Sequence, residues 1–177
     1  SNANRPLNES TQCAIWICLS TLSRIGELLM ARWDHVDFQA KEWFIPRENV
    51  KSTRGKKQDH YIFLSDFALA QFKRLYEESG HTDWCFPSKD EKSHVDVKSV
   101  SKRIGDRQVK FKDRTKEGMN RRHDNSLAVG DREWTPHDLR RTGATMMQEL
   151  GIDINIIDRC QNHVLAGSKV RRHYLKY

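Results

Sequence analysis

Thr135-Pro136 starts a helix on which His137 and Arg140 fall three residues apart, so both project from one face near its partly positive N-terminal end. That is a place to hold a phosphate. A His-x-x-Arg pair alone is a weak signal, because basic helices contain it by chance. Its company gives it weight: Arg24 in Leu22-Ser23-Arg24-Ile25-Gly26-Glu27-Leu28-Leu29, Lys51 beside a basic connection, then His163 and Tyr174 near the end. These residue types suit phosphodiester chemistry, in which negative charge repels nucleophiles and grows further in the pentavalent transition state. Guanidiniums stay protonated and give paired hydrogen bonds to phosphate oxygens, whereas a phenol with a pKa of about 10 attacks only when aligned and partly deprotonated. Taken singly, each residue also has a plain structural explanation. Arg24 fits a cap or a salt bridge with Glu27, His163 a satisfied core histidine, and Tyr174 an aromatic packing residue on a terminal helix.

The elements that must position these groups are read from period and punctuation. Ile15, Leu19 and Leu22 recur at helical spacing, as do Ile25, Leu28, Leu29 and Trp33 after a polar break at Ser20-Thr21. Two helices meeting at a corner put Arg24 on the first turn of the second. Val36 to Phe38, Trp43 to Ile45 and His60 to Leu64 are short apolar pieces that predict a three-stranded antiparallel sheet. The connection from Asn49 to Asp59 is long and basic. Ser65 caps a helix with Ala68 or Leu69, Phe72 and Leu75 or Tyr76 inward, ending at Gly80. A further helix starts near Asp96 with Val97, Val100 and Ile104 inward. From Phe111 to Glu133 apolar residues are sparse and no period holds, which predicts an exposed, mobile loop. Gly151 stops the helix that Thr135-Pro136 starts, and Asp153 caps one more through Ile154, Ile157 and Cys160. The expected fold class is α+β, mostly α-helical, with one small sheet.

The chain has 177 residues and a net charge of +7, from 31 Lys+Arg against 24 Asp+Glu. Val97 to Arg122 carries ten basic residues against three acidic ones, which equals that whole excess, and the last nineteen residues add five more cations and no carboxylate side chain. A polyanionic partner follows, although a charged run by itself also fits a solvated loop. Apolar stretches run only a few residues where a spanning helix needs about 20, so neither membrane insertion nor export is expected. Cys13, Cys18, Cys85 and Cys160 form no Cys-x-x-Cys pair or zinc-finger spacing, and Cys13 and Cys18 read as small core residues in reduced form. Ser1-Asn2-Ala3 matches the remnant left by removal of an expression tag, which leaves residues 4–177 as one domain.

The ordered set resembles the catalytic domain of the tyrosine recombinases, the phage integrase family, over nearly the whole chain. The stretches that carry the resemblance are Thr21 to Leu28, Pro136-His137-Asp138-Leu139-Arg140-Arg141-Thr142-Gly143-Ala144-Thr145, and Asn162-His163 followed eleven residues later by Tyr174. The wording from Asn162 to Tyr174 is most similar to integrases of prophages and genomic islands. There are departures: the family often has Gly where Leu22 stands, and Leu-Gly where Gln161-Asn162 stands.

The resemblance implies the DNA breaking-rejoining fold and a site-specific recombinase that works through a 3′-phosphotyrosine, for integration or excision of a mobile element. It assigns a phosphate clamp to Arg24 and Arg140, the nucleophile to Tyr174, proton transfer to His137 and a phosphate hydrogen bond to His163. The general acid for the leaving 5′-hydroxyl is Lys51, with Lys56 as the alternative, because the connection is longer than the family's usual one. Lys56, Lys57, Lys98, Lys102, Arg103, Arg171 and Arg172 are candidate contacts to DNA phosphates, which position DNA without reading its sequence. The implied partners are double-stranded DNA, three further copies in a homo-tetramer and accessory DNA-bending proteins, in the bacterial cytoplasm at the nucleoid. No metal or other cofactor is implied. A type IB topoisomerase shares the chemistry but generally has Lys where His137 stands, and a non-catalytic DNA-binding module would leave six candidate residues idle. The family's N-terminal DNA-binding domains are expected in a longer protein of which this chain is the C-terminal catalytic part.

Overall fold

The computed structural model describes residues 7–51, 57–111 and 124–163. The first helix, α1 (Glu9–Thr21), runs through the core with Cys13, Ala14, Ile17 and Cys18 fully buried, so both cysteines are small core residues as expected. It stops at Leu22, which takes a left-handed conformation at φ 57°, and the short α2 (Ile25–Leu29) follows the corner. Arg24 is the cap just before α2 rather than part of its first turn. The strands β1 (Val36–Asp37), β2 (Glu42–Ile45) and β3 (His60–Phe63) form an antiparallel sheet in sequential order, with Trp43 opposite Ile62 and Ile45 opposite His60. Trp43, Ile45 and Ile62 point inward against α3 (Asp66–Ser79), where Phe72 is fully buried and packs on Trp43. Ser65 caps α3 by accepting a hydrogen bond from the Ala68 N–H, and Gly80 ends it.

Helix α4 (Ser99–Asp106) begins three residues later than the apolar pattern suggested. Val100 and Ile104 are buried as expected, but Val97 precedes the helix and is exposed. Most of the expected loop from Phe111 to Glu133 lies outside the described residues. Its described part, 124–133, is tied down rather than loose: the Asp124 N–H donates to the Asp106 carbonyl and the Leu127 N–H to the Arg107 carbonyl. The buried side chain of Gln108 then exchanges two hydrogen bonds with the backbone of Trp134, at 2.8 and 2.9 Å. This amide pairing fixes the chain immediately before α5 (Pro136–Glu149). Asp138 completes the start of α5 by accepting from the N–H and hydroxyl of Thr135, contacts that hold its carboxyl below the usual range. Gly151, at φ 78°, ends it in the left-handed turn that favours glycine. The last described helix, α6 (Ile154–Cys160), is capped by Asp153 as expected and buries Ile157, whereas Ile154 is exposed. Among the described residues no helix is long and apolar enough to cross a membrane.

One close approach sets the geometry. Helix α5 lies across the end of α1 at Gly143, where an added Cβ would fall on the Leu22 side chain and 2.7 Å from the Leu19 carbonyl oxygen. No other residue fits there without separating the helices. Gly143→Ala is therefore expected to cost about 1–3 kcal/mol of stability, as overpacked core sites do. Chemical denaturation of the wild type and the variant checks this; equal midpoints would mean that the helices do not meet so closely.

Candidate active site

Arg140 is the fifth residue after the threonine that caps α5, and the contact at Gly143 one turn later carries its side chain into the gap between α1 and α6. It is 3% exposed. One terminal nitrogen, Nη1, donates to the Leu22 carbonyl at 2.5 Å, and Nη2 donates to the Gln161 carbonyl. Gln161 reciprocates through its Nε2, which donates to the Arg140 carbonyl at 3.4 Å. The two anchoring carbonyls belong to residues two positions before Arg24 and two before His163, so one guanidinium draws both candidates to itself.

Arg24 stands beside it. The buried carboxylate of Glu27 accepts from the Arg24 guanidinium at 2.9 Å and from the Arg24 backbone N–H at 3.1 Å. The salt bridge raised above as a structural explanation thus exists, and it aims Arg24 rather than competing with a role for it. Burial, then the positive charge of Arg24, lower the Arg140 pKa to about 10, with Glu27 opposing them. The group stays protonated near neutral pH. Cys18 lies beneath, its thiol pushed up to about 12 mainly by burial, and it is held as an uncharged packing group.

His163 is placed by the end of α6. Its N–H donates to the Asp158 carbonyl at 2.8 Å and the Asn162 N–H to the Arg159 carbonyl at 2.9 Å, the paired bonds of a Schellman turn around Asn162 at φ 49°. The Asp158 carboxylate also meets His163 Nδ1 at 3.0 Å. With that nitrogen engaged, Nε2 is the one left to present outward. The two departures from the family pattern, Leu22 and Asn162, both occupy left-handed positions, which explains why glycine is common there. Asn adopts that conformation readily, whereas Leu does so at a cost of about 1–2 kcal/mol.

His137 is exposed on the first turn of α5 and Lys51 is exposed after the buried Val50. Neither is hydrogen-bonded to Arg140. Of the candidate DNA contacts, Lys57, Lys98 and Lys102 are exposed, while Arg103 is half-buried and donates to the Thr11 hydroxyl at 3.3 Å. Tyr174, Lys56, Arg171 and Arg172 lie outside the described residues. Sequence reasoning missed two groups. Asp158 sits five residues before His163, off any helical face, and His60 begins β3 with no motif around it. His60 is half-buried, in electrostatic reach of Glu27, Arg140 and Arg24 and close to the Cys160 backbone.

The model of the phage integrase family matches residues 1–176. The chain belongs to that family. Its similarity to the prophage integrase IntA of Escherichia coli K12 is 30% identity over 168 residues, covering 95% of this chain and 35% of IntA. Among solved structures of integrases, the Tn1549 transposon integrase in complex with circular intermediate DNA matches with a TM-score of 0.66 at 15% identity, over 98% of this chain and 61% of that one. The lambda integrase tetramer bound to a Holliday junction matches with a TM-score of 0.59 at 14% identity, over 91% of this chain and 43% of that one. The likeness to the two integrase structures is one of fold, and the mostly helical domain with a small antiparallel sheet is the fold expected from the sequence. This integrase-family chain spans about a third of the length of IntA.

Two half-buried histidines make the domain acid-sensitive. Burial, the leading cause in each, lowers the pKa of His60 and His35 below the ordinary 6.5. The unfolded chain therefore takes up protons first as pH falls, so their contribution is complete above about pH 6.5 and is lost below it. Carboxylates held below their usual range lose theirs only below about pH 5. Melting temperature is expected to drop between pH 7.5 and 5.5, and to drop less in His60→Asn. Parallel curves for the two proteins would contradict the assignment.

Proposed function

We propose that this chain is the catalytic unit of a site-specific DNA recombinase that cuts and rejoins duplex DNA through Tyr174, in integration or excision of a mobile element. The observation that carries this reading is the anchoring of Arg140, which gathers Arg24 and His163 from distant stretches around one buried guanidinium. Two of its five N–H donors hold backbone carbonyls among the described residues, which fixes the plane of the guanidinium. Arg24 and Arg140 neutralise the charge that grows on the phosphate oxygens.

The phenolate oxygen of Tyr174 attacks phosphorus, the bond from phosphorus to the 5′ oxygen breaks, and a 3′-phosphotyrosine and a 5′-hydroxyl result. Lys51 gives the leaving oxygen its proton, with Lys56 as the alternative donor; His137 moves the tyrosine proton and His163 hydrogen-bonds the phosphate. Attack by a 5′-hydroxyl reverses the step and frees Tyr174. One phosphodiester is exchanged for another, so neither ATP nor a nucleotide cofactor enters. On this reading the partners are duplex DNA and further copies of the protein, four per exchange, with accessory proteins that bend the DNA. The remaining domains of a longer protein add affinity and site choice.

Covalent trapping tests the reading. Incubation with nicked duplexes of varied sequence, followed by denaturation, is expected to give a DNA-shifted band whose adduct maps to Tyr174. Tyr174→Phe should give none, and Arg24→Ala should lower the rate about 100-fold or more, as loss of a charge-stabilising donor does. A chain that binds a demonstrated site in its full-length protein yet never forms the adduct would rule the assignment out.

The two lysines are separable by the leaving group. Replacing the bridging 5′ oxygen by sulfur gives a thiolate of a conjugate acid with pKa about 8.5, which departs without a proton. The sulfur duplex should rescue Lys51→Ala to near the wild-type rate and leave Arg24→Ala slow. If it rescues Lys56→Ala instead, the general acid is Lys56.

A further inference from the structure

Asp158 and His163 are joined twice. The Asp158 carbonyl accepts from the His163 N–H at 2.8 Å, which closes the turn at the end of α6, and one Asp158 carboxylate oxygen lies 3.0 Å from His163 Nδ1. The first bond places the residue, and the second sets the rotation of its ring. Both side chains are partly exposed, Asp158 at 32% and His163 at 44%. The turn itself is made of backbone bonds around Asn162, so an exposed pair adds little to a fold that the main chain already holds. What the pair does decide is where the protons of the ring sit.

A carboxylate only accepts hydrogen bonds, so the ring nitrogen that meets it carries a proton. In a neutral ring that leaves Nε2 with a lone pair and no hydrogen. The charged oxygens of a phosphodiester also only accept. His163 therefore hydrogen-bonds a phosphate only once Nε2 has gained a second proton, and the ring is then an imidazolium with the Asp158 carboxylate on one side and the phosphate on the other. The other charged or titratable groups near this end of α6 are Arg159 on the helix itself, Arg140 of α5, Arg24 with Glu27 at the α2 corner, and His60 of β3. Among the described residues only Asp158 is hydrogen-bonded to the ring.

We propose that Asp158 is a positioning residue for His163: it fixes the ring in its Nδ1–H form with Nε2 toward the phosphate, and it is the counter-ion of the imidazolium that forms when the phosphodiester binds. This rests on the recombinase reading above. One proton passes from solvent to Nε2, and no other bond is made or broken. The clamp thereby gains a third positive group on the substrate without holding three cations together before DNA arrives. A lysine in place of His163 would carry its charge in both states.

The test joins nitrogen NMR of the ring to a double-mutant cycle. In the DNA-free protein at pH 7 the neutral form of His163 is expected to carry its proton on Nδ1, and Asp158→Ala should release it to Nε2. With Tyr174→Phe bound to duplex DNA, both nitrogens should be protonated. Single-turnover trapping on the nicked duplex is expected to slow about 10- to 100-fold in Asp158→Ala, the penalty of a small misplacement, while the melting temperature stays near the wild-type value. In a His163→Gln background the same change should slow trapping no further, because Asp158 acts only through the ring. Four results overturn the proposal: a neutral wild-type ring protonated on Nε2, a ring that stays neutral in the complex, an Asp158→Ala protein that traps at the wild-type rate, and a full further loss in the double variant. Absence of any wild-type adduct would instead count against the recombinase reading, and the DNA-free spectrum would still judge the Asp158 pair.

Discussion

The site depends on one buried guanidinium held by two backbone carbonyls. Removing a cation from water is costly, and the cost is tolerable only where good hydrogen bonds replace the lost hydration. Arg140 meets that condition with the Leu22 and Gln161 carbonyls and with the nearby charge of Glu27. The same two bonds close the ends of α1 and α6 onto α5. On the proposed reading the group that stabilises the junction also clamps the phosphate, so that stability and function would draw on a single constraint.

Because the anchors are main-chain atoms, their placement is a matter of backbone shape more than of side-chain type. Leu22 and Asn162 each turn the chain through the left-handed region just where a helix ends, which swings the following residues back toward Arg140. Gly143 lets α5 approach α1 closely enough for the arginine to span the gap. Three backbone features spread over the chain thus surround Arg140: the Leu22 corner before Arg24, the Asn162 turn before His163 and the close approach at Gly143.

This division explains what was legible in the sequence. Helix α5 could be bracketed from Thr135-Pro136 to Gly151 and α3 from Ser65 to Gly80, because caps act locally through side chains a few residues away. The strands followed from short apolar pieces, while Arg24, His137, Arg140 and His163 stand as proposals from an ordered set of types. The anchors of Arg140 were not legible: they lie 118 and 21 residues away and carry no side-chain signature. Asp158 escaped because its pairing with His163 exists only after the Asn162 turn, and His60 because a lone histidine at a strand start resembles any other. Val97 was expected inward on periodicity, but a period does not say which residue is the first inside the helix.

The arrangement also carries an electrostatic tension that suits the proposed chemistry. Burial first, and then the repulsion between the two guanidiniums, lower the Arg140 pKa, and Glu27 offsets only part of that. A phosphodiester entering between them relieves it and gains more as negative charge accumulates on its oxygens toward the transition state. The cost of assembling the charges is met when the chain folds, so no reorganisation is required at the moment of reaction. A neutral imidazole at His60 preserves this tension, whereas a further carboxylate would quench it and a further cation would overload the fold.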